Sequence, residues 1–161
     1  MRLKKIGLLG LFGILLGVLP GCQAQERSRS AGVVGYNHTD SPIYEFTLNQ
    51  QSGGSVDAHS GGGSMVCCIV IPAAWRPGLE VNVRWSHDLK TYQQRTVPVP
   101  AYDGKGDHMA VHFLRNGEVR VYVSHLYLGH PDYPLTGPEA GLRAGENPVR
   151  QDLLDAKKEA P

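Results

Sequence analysis

The sequence predicts an all-β protein: a single immunoglobulin-like β-sandwich of about seven strands, followed by a short C-terminal helix. Over residues 32–128, short runs rich in β-branched and aromatic residues alternate with turn signals, which is typical of such sandwiches. Residues 79–86 alternate between apolar and polar side chains, which indicates a strand with one buried face. The pair Asn116-Gly117 lies between two apolar runs and favours a tight β-hairpin.

The N-terminus has the pattern of a bacterial lipoprotein signal. Three basic residues precede an apolar run over residues 6–19, which is shorter than the roughly 20 residues that a membrane-spanning helix needs. The run ends in Leu-Pro-Gly-Cys, which resembles a lipobox and places the acceptor cysteine at Cys22. We therefore expect a signal peptide over residues 1–21 and lipidation of Cys22, the alternative being an ordinary secretory signal with a chance cysteine.

Lipidation of Cys22 would anchor the protein at a membrane. Two or more acyl chains hold a protein stably in a bilayer, and a lipoprotein cysteine normally carries three. Gln23 stands where an Asp would favour retention in the inner membrane, so we expect the outer membrane, facing the periplasm. Without Arg2, Lys4 and Lys5 of the signal peptide, 13 of the 16 basic side chains remain against 15 acidic ones, a formal charge of −2. This charge is too near neutral for non-specific nucleic-acid binding, so we predict no nucleic-acid partner.

The first half of the mature chain alternates between strands and loops. Residues 22–31 are polar and are predicted to be a lipidated flexible tether. A strand over residues 43–49 would place Tyr44, Phe46 and Leu48 on one face. Residues 50–64 are rich in Gly and Ser, and we expect a loop there.

The next segments are predicted to form the centre of the sandwich. Residues 66–71 are continuously apolar, which is consistent with a central strand buried on both faces. A compact connection over residues 73–78 leads into the alternating strand, whose inward set is predicted as Leu79, Val81, Val83 and Trp85.

The hairpin register follows from its turn. A two-residue type I′ turn at Asn116-Gly117 would set Leu114 opposite Val119 and His112 opposite Val121, so that all four share one face.

After residue 128 the chain is rich in Gly and Pro, and residues 129–161 are predicted to be a tail. Asn147 followed by Pro148 is typical of a helix start, which places the short helix over residues 151–158.

Cys67 and Cys68 are adjacent in a predicted strand. Neighbouring side chains of a regular strand point to opposite faces, so these two cannot bond to each other unless a bulge or turn intervenes. The export compartment is oxidising. We therefore expect either a structural vicinal disulfide or two buried thiols, and no redox site, because such a site favours two residues between its cysteines.

The histidines do not form a metal motif. His108 and His112 have the spacing of a helical zinc pair, but four strand residues span about 13 Å, which is too far for one ion. Asp57 with His59, or Asp107 with His108, remain possible contributors to a site assembled from loops. We predict no catalytic residue, no metal and no cofactor, and keep a metal-dependent periplasmic enzyme as an alternative.

Two stretches carry a family resemblance. "GYNHTDSPIYEF" and "GGGSMVCCIVIPAAWRPGLEVNVRW" resemble a family of bacterial lipoproteins that contain a domain of unknown function, over residues 32–125. Members of this family are often encoded beside type VI secretion components and lipase-class effectors. The resemblance implies a periplasmic immunity protein that protects the producing cell from its own phospholipase toxin.

A protein-binding role requires a contact surface. Loops over residues 50–64 and 101–108 could reach into a partner's cleft, and the contact residues predicted by type are Trp75, Arg76 and Tyr102. The expected protein is not an enzyme, and its partners are the membrane, through the lipid anchor, and a cognate lipase toxin. A structural envelope or secretion-apparatus lipoprotein, bound to a secretion-apparatus protein, is the alternative.

Overall fold

The structure is a computed structural model and describes residues 27–140 and 147–148. Every regular element in that part of the chain is a β-strand, and it has no helix that could cross a membrane. The predicted signal peptide, Cys22 and the helix over residues 151–158 lie outside the described residues. The strands are β1 (Ser28–Asn37), β2 (Ile43–Leu48), β3 (Gln51–Val56), β4 (Ser60–Pro72), β5 (Glu80–Ser86), β6 (Tyr92–Pro98), β7 (His108–Phe113), β8 (Val119–Ser124) and β9 (Asn147–Pro148).

The strands form two sheets. The first has the order β8-β7-β1-β4-β9 and the second the order β3-β2-β5-β6. In the first sheet, β1 is parallel to β7 and antiparallel to β4. The predicted all-β sandwich is confirmed. Asn147 and Pro148, predicted to begin a helix, instead pair with Ser60 and Gly61 as β9.

The main core fills the space between the two sheets. Phe113 of β7 packs against Phe46 of β2 and Trp85 of β5, with ring centroids 5.5 Å and 5.6 Å apart. The alternation predicted for β5 is confirmed, since Val81, Val83 and Trp85 are all buried in this core. The remaining buried members are Ala31, Val33, Ile43, Leu48, Ile69, Ile71, Val97, Val99, Met109, Val111, Val119, Val121 and Val123.

A second, smaller core lies on the outer face of the first sheet, the face turned away from the second sheet. Residues 126–135, which we call the covering segment, pack across this face. Tyr133 and Leu135 are buried there, so the domain extends past the predicted boundary at residue 128. At the other end β1 begins at Ser28, within the predicted tether. The buried members of this outer core are Val34, Tyr36, Ala110, Leu114, Leu128, Tyr133 and Leu135.

The β7–β8 hairpin has a register one residue away from the predicted one. Val119 pairs with Phe113 rather than with Leu114. The amide of Gly117 donates to the carbonyl of Leu114 at 2.9 Å, and Gly117 has a φ of 80°, so the loop has three residues instead of two. The shift of one residue turns His112 from the inner face to the outer face.

The segment predicted as a loop over residues 50–64 is largely strand, because β3 and the start of β4 lie within it. Glycines occur in this segment because neighbouring strands and side chains pack directly against their backbone, and not because the segment is a loop. A Cβ on Gly53 would lie 2.0 Å from the ring of Phe46, and a Cβ on Gly61 would lie 2.5 Å from the carbonyl oxygen of Gly35.

Two predictions about strand faces were wrong. Tyr44 is 53% exposed, because the β2–β3 pairing is irregular between Ile43 and Phe46 and the expected alternation is broken. β4 is not a central strand buried on both faces. It lies towards the edge of its sheet, and Val70 is 67% exposed.

Candidate functional site

The connection between β4 and β5 forms one end of the sandwich, and we call residues 72–76 the corner. It lies beside the start of the domain, because Ser28 of β1 pairs with Pro72 and the amide of Ala73 donates to the carbonyl of Arg27 at 2.7 Å. A shallow depression opens here. Its lining consists of Arg27, Pro72, Ala73, Ala74, Trp75 and Arg76.

Of the three predicted contact residues, Trp75 and Arg76 belong to this corner, and Tyr102 is hydrogen-bonded to it. The indole Nε1 of Trp75 donates to the carbonyl of Val99 at 2.8 Å, and the hydroxyl of Tyr102 donates to the carbonyl of Pro72 at 2.7 Å. Both rings are half-buried, while Arg76 is exposed. The corner therefore presents two aromatic rings held by hydrogen bonds beside an exposed cation.

A second arginine, Arg29, packs against Tyr102. The guanidinium of Arg29 lies 5.8 Å from the ring centroid of Tyr102 and donates to the carbonyl of Gly106. Burial raises the pKa of the Tyr102 hydroxyl, and the charge of Arg29 opposes that rise. The hydroxyl consequently stays protonated and keeps its hydrogen bond. Of the two predicted loops, only residues 101–107 form a loop at this end.

Cys67 and Cys68 form a vicinal disulfide and are also joined by a cis peptide bond. The pairing of β4 with β1 is irregular at this point, because Ala31 pairs with Ile69 while Val33 pairs with Val66. Two residues of β4 thus oppose one residue of β1, which defines a β-bulge. The alternative of two buried thiols is wrong, since Cys67 is exposed and Cys68 half-buried.

His112 lies in a closed network inside the outer core. Its Nδ1 is 3.2 Å from Nε2 of His38, its Nε2 is 2.7 Å from the hydroxyl of Tyr133, and the ring of Tyr36 stacks on it at 4.6 Å. Burial holds the pKa of His112 well below its ordinary value, and His38 adds to the effect. Since the imidazole is fully buried, this network stabilises the fold and does not reach solvent.

The acidic and histidine side chains do not converge. His59 pairs with Asp40 at 2.8 Å rather than with Asp57, and His108 Nδ1 lies 2.6 Å from the carboxylate of Asp107. Among residues 27–140 and 147–148, no group of three His, Cys, Asp or Glu side chains could hold a metal ion. His108 Nε2 is buried with no hydrogen-bond partner there, and no further ligand accompanies it.

The fold and this surface define a β-sandwich domain with an aromatic and cationic corner. Residues 36–121, more than half of the chain, match the family described as "Protein of unknown function (DUF3304)", and the chain belongs to that family. The expected membership of a family with a domain of unknown function is thereby confirmed. No curated protein and no solved structure matches this chain.

Proposed function

We propose that this protein is a lipid-anchored periplasmic binding protein, and specifically an immunity protein that neutralises a lipase-class toxin delivered by type VI secretion. The observation that carries the proposal is the position of Trp75 and Arg76 in one corner of the sandwich, to which Tyr102 is hydrogen-bonded. Tryptophan, tyrosine and arginine are the residues that most often supply the binding energy of protein interfaces.

The rigidity of the corner favours binding. Ordering side chains at an interface costs about 0.5–1.5 kcal/mol for each flexible one. Trp75 and Tyr102 are already held by hydrogen bonds to the carbonyls of Val99 and Pro72, so a partner would meet rings that are ordered in advance.

The position of the corner relative to the proposed anchor also fits. Arg27 follows Cys22 by five positions, and an extended chain covers at most about 3.5 Å per residue, so the two lie within about 18 Å of each other. Arg27 lines the depression at the corner. A lipase works at the lipid surface, and a lipidated Cys22 would hold the corner close to that surface.

The test is a binding experiment with the cognate lipase-class toxin that the proposal requires, sought among the products of genes beside this one. We expect the full-length protein in detergent to form a stable complex with that lipase, and deletion of this gene to make the lipase toxic to its producer. Arg76→Glu should weaken the complex at least about tenfold, because it reverses the exposed charge of the corner. The matched control is Arg95→Glu on β6, which changes an exposed arginine outside the corner and should leave the affinity unchanged.

The competing interpretation gives a different result. A structural envelope or secretion-apparatus lipoprotein would co-purify with membrane or baseplate components and would not bind the lipase. That outcome, or equal effects of the two arginine variants, would refute the proposed function.

A further inference from the structure

The side of β4 away from β1 is an unpaired strand edge over most of its length within the described residues. β9 covers only Ser60 and Gly61, and no described strand pairs with β4 beyond them on the side away from β1. An edge strand presents unpaired backbone N–H and C=O groups that can bind another strand.

This edge lacks the charged side chains that commonly protect an edge strand against pairing. No charged side chain occurs within β4 (Ser60–Pro72). Natural edges are commonly protected by lysines or other charges. Here the large exposed apolar side chains are Met65, 49% exposed, and Val70, 67% exposed. Both lie in the stretch that no described strand covers.

The side chains of β4 have an order that reads the same from both directions. Val66 and Ile69 point inward, since Ile69 is in the main core and Val66 approaches Gly54 of the opposite sheet. Met65 and Val70 therefore point outward. The two bulge residues, Cys67 and Cys68, lie between the inward pair.

The order is consequently outward, inward, bulge, inward, outward, and it is symmetric about the peptide between the two cysteines. In a regular strand, residues five positions apart would point to opposite faces. The bulge adds one residue, so that Met65 and Val70 share a face.

From this symmetry we infer that β4 pairs with β4 of a second copy of this chain. The two strands are antiparallel, and the two-fold axis passes between them at the level of the Cys67–Cys68 peptide. Met65 of each copy faces Val70 of the other, and Val66 faces Ile69. Opposite residues of an antiparallel pair share a face, and this register satisfies that requirement at each of these positions. The same surface of both copies forms the contact, as in any two-fold dimer.

The proposed pairing is compatible with the other elements of the edge. It extends from Gly63 to Pro72 in each copy, so β9 keeps its place beside Ser60 and Gly61. A partner with a regular strand would lose register at the bulge, whereas a second copy brings a bulge of its own to the axis. The paired residues share only Pro72 with the corner, and Trp75 and Arg76 lie beyond them.

The oligomeric state of the full-length protein in detergent tests the inference, measured by sedimentation equilibrium. We expect a dimer for the wild type, and dimerisation at least about tenfold weaker for Met65→Glu and for Val70→Lys, since each places a charge against an apolar side chain. The double variant should recover dimerisation, because the introduced carboxylate of each copy then faces the introduced ammonium of the other. Tyr44→Lys on β2 changes an equally exposed apolar strand residue and should have no effect.

A second measurement does not depend on any variant. Amide hydrogen exchange over residues 63–72 should slow as the wild-type protein is concentrated, because the ladder of the dimer protects these amides. A monomeric wild type, exchange that does not depend on concentration, or a folded double variant that fails to recover would each overturn the inference.

Discussion

At the scale of single residues, His112 connects parts of the chain that are distant in sequence. A neutral imidazole has one donor and one acceptor nitrogen, so His112 can hydrogen-bond with both His38 and Tyr133 without carrying a charge. Burial lowers the pKa of His112 and raises that of the Tyr133 hydroxyl, so both groups stay neutral in the folded state. The hydrogen bond between His112 and Tyr133 thereby joins β7 to the covering segment.

This burial predicts a pH dependence of stability. The pKa of His112 is lowered from its ordinary value of 6.5 in the folded state, so the unfolded chain takes up the proton first as the pH falls. Stability that is fully present above pH 6.5 is therefore lost below it. We expect the free energy of unfolding to fall by roughly 1 kcal/mol between about pH 7.5 and about pH 5.5 from this residue.

Urea unfolding at several pH values measures the effect. His112→Gln should be less stable than the wild type at neutral pH and should depend less on pH. The control variant His125→Gln changes an exposed histidine and should keep the wild-type slope. A His112→Gln profile parallel to that of the wild type would contradict the assignment.

At the scale of elements, the β7–β8 hairpin shows why pattern alone misplaced the register. The pair Asn116-Gly117 favours a two-residue turn, but only Gly117 has a positive φ, and the loop takes a third residue. Alternation could not correct the error. Val111 and Phe113 face the main core, but Ala110 and Leu114 are equally buried under the covering segment, so both faces of β7 are buried.

Gly117 in this loop and Gly104 in the loop over residues 101–107 form a matched pair for substitution. A Cβ on Gly117 or on Gly104 would contact nothing within 4 Å, but Gly117 has a φ of 80°. Gly117→Ala should therefore destabilise the protein by about 1 kcal/mol through backbone strain alone. Gly104→Ala should change stability by less than about 0.5 kcal/mol. Equal denaturant midpoints for the two variants would refute this account of the turn.

The covering segment is a structural element and not a tail. Leu135 is 2% exposed, so Leu135→Ala should cost about 2–5 kcal/mol of unfolding free energy by leaving a cavity in the outer core. The control is Leu89→Ala, which truncates a leucine that is 55% exposed and should cost less than about 0.5 kcal/mol. Thermal unfolding of both variants would decide, and a neutral Leu135→Ala would show that the segment does not contribute.

At the scale of the whole molecule, the sequence predicted the sandwich and part of the candidate site. The alternation of β5 is local and could be recognised directly, and Trp75, Arg76 and Tyr102 were identified by residue type. The edge position of β4 could not be predicted, because its apolar run is equally typical of a central strand and only the pairing with β1 and β9 decides its place. The contact between Tyr133 and His112 could likewise not be predicted, because the Gly and Pro content around Tyr133 indicated a tail.

The anchor is a prediction for the intact protein. Cys22→Ser should release the protein from the membrane fraction and abolish fatty-acid incorporation, because all the acyl chains of the proposed anchor would be lost. The fold should persist, since the described domain begins after this position. Replacing Cys67 and Cys68 together by Ser should leave the protein membrane-bound. Retention of Cys22→Ser in washed membranes would refute lipidation at that residue.

The place of β1 in its sheet has a mechanical consequence. The chain enters the described domain through this strand, which is hydrogen-bonded to β4 on one side and to β7 on the other. A force applied along β1 from its N-terminal end would load both ladders in shear, so that many hydrogen bonds would have to break together rather than one after another. The domain should resist being pulled apart from the end at which the protein would be held.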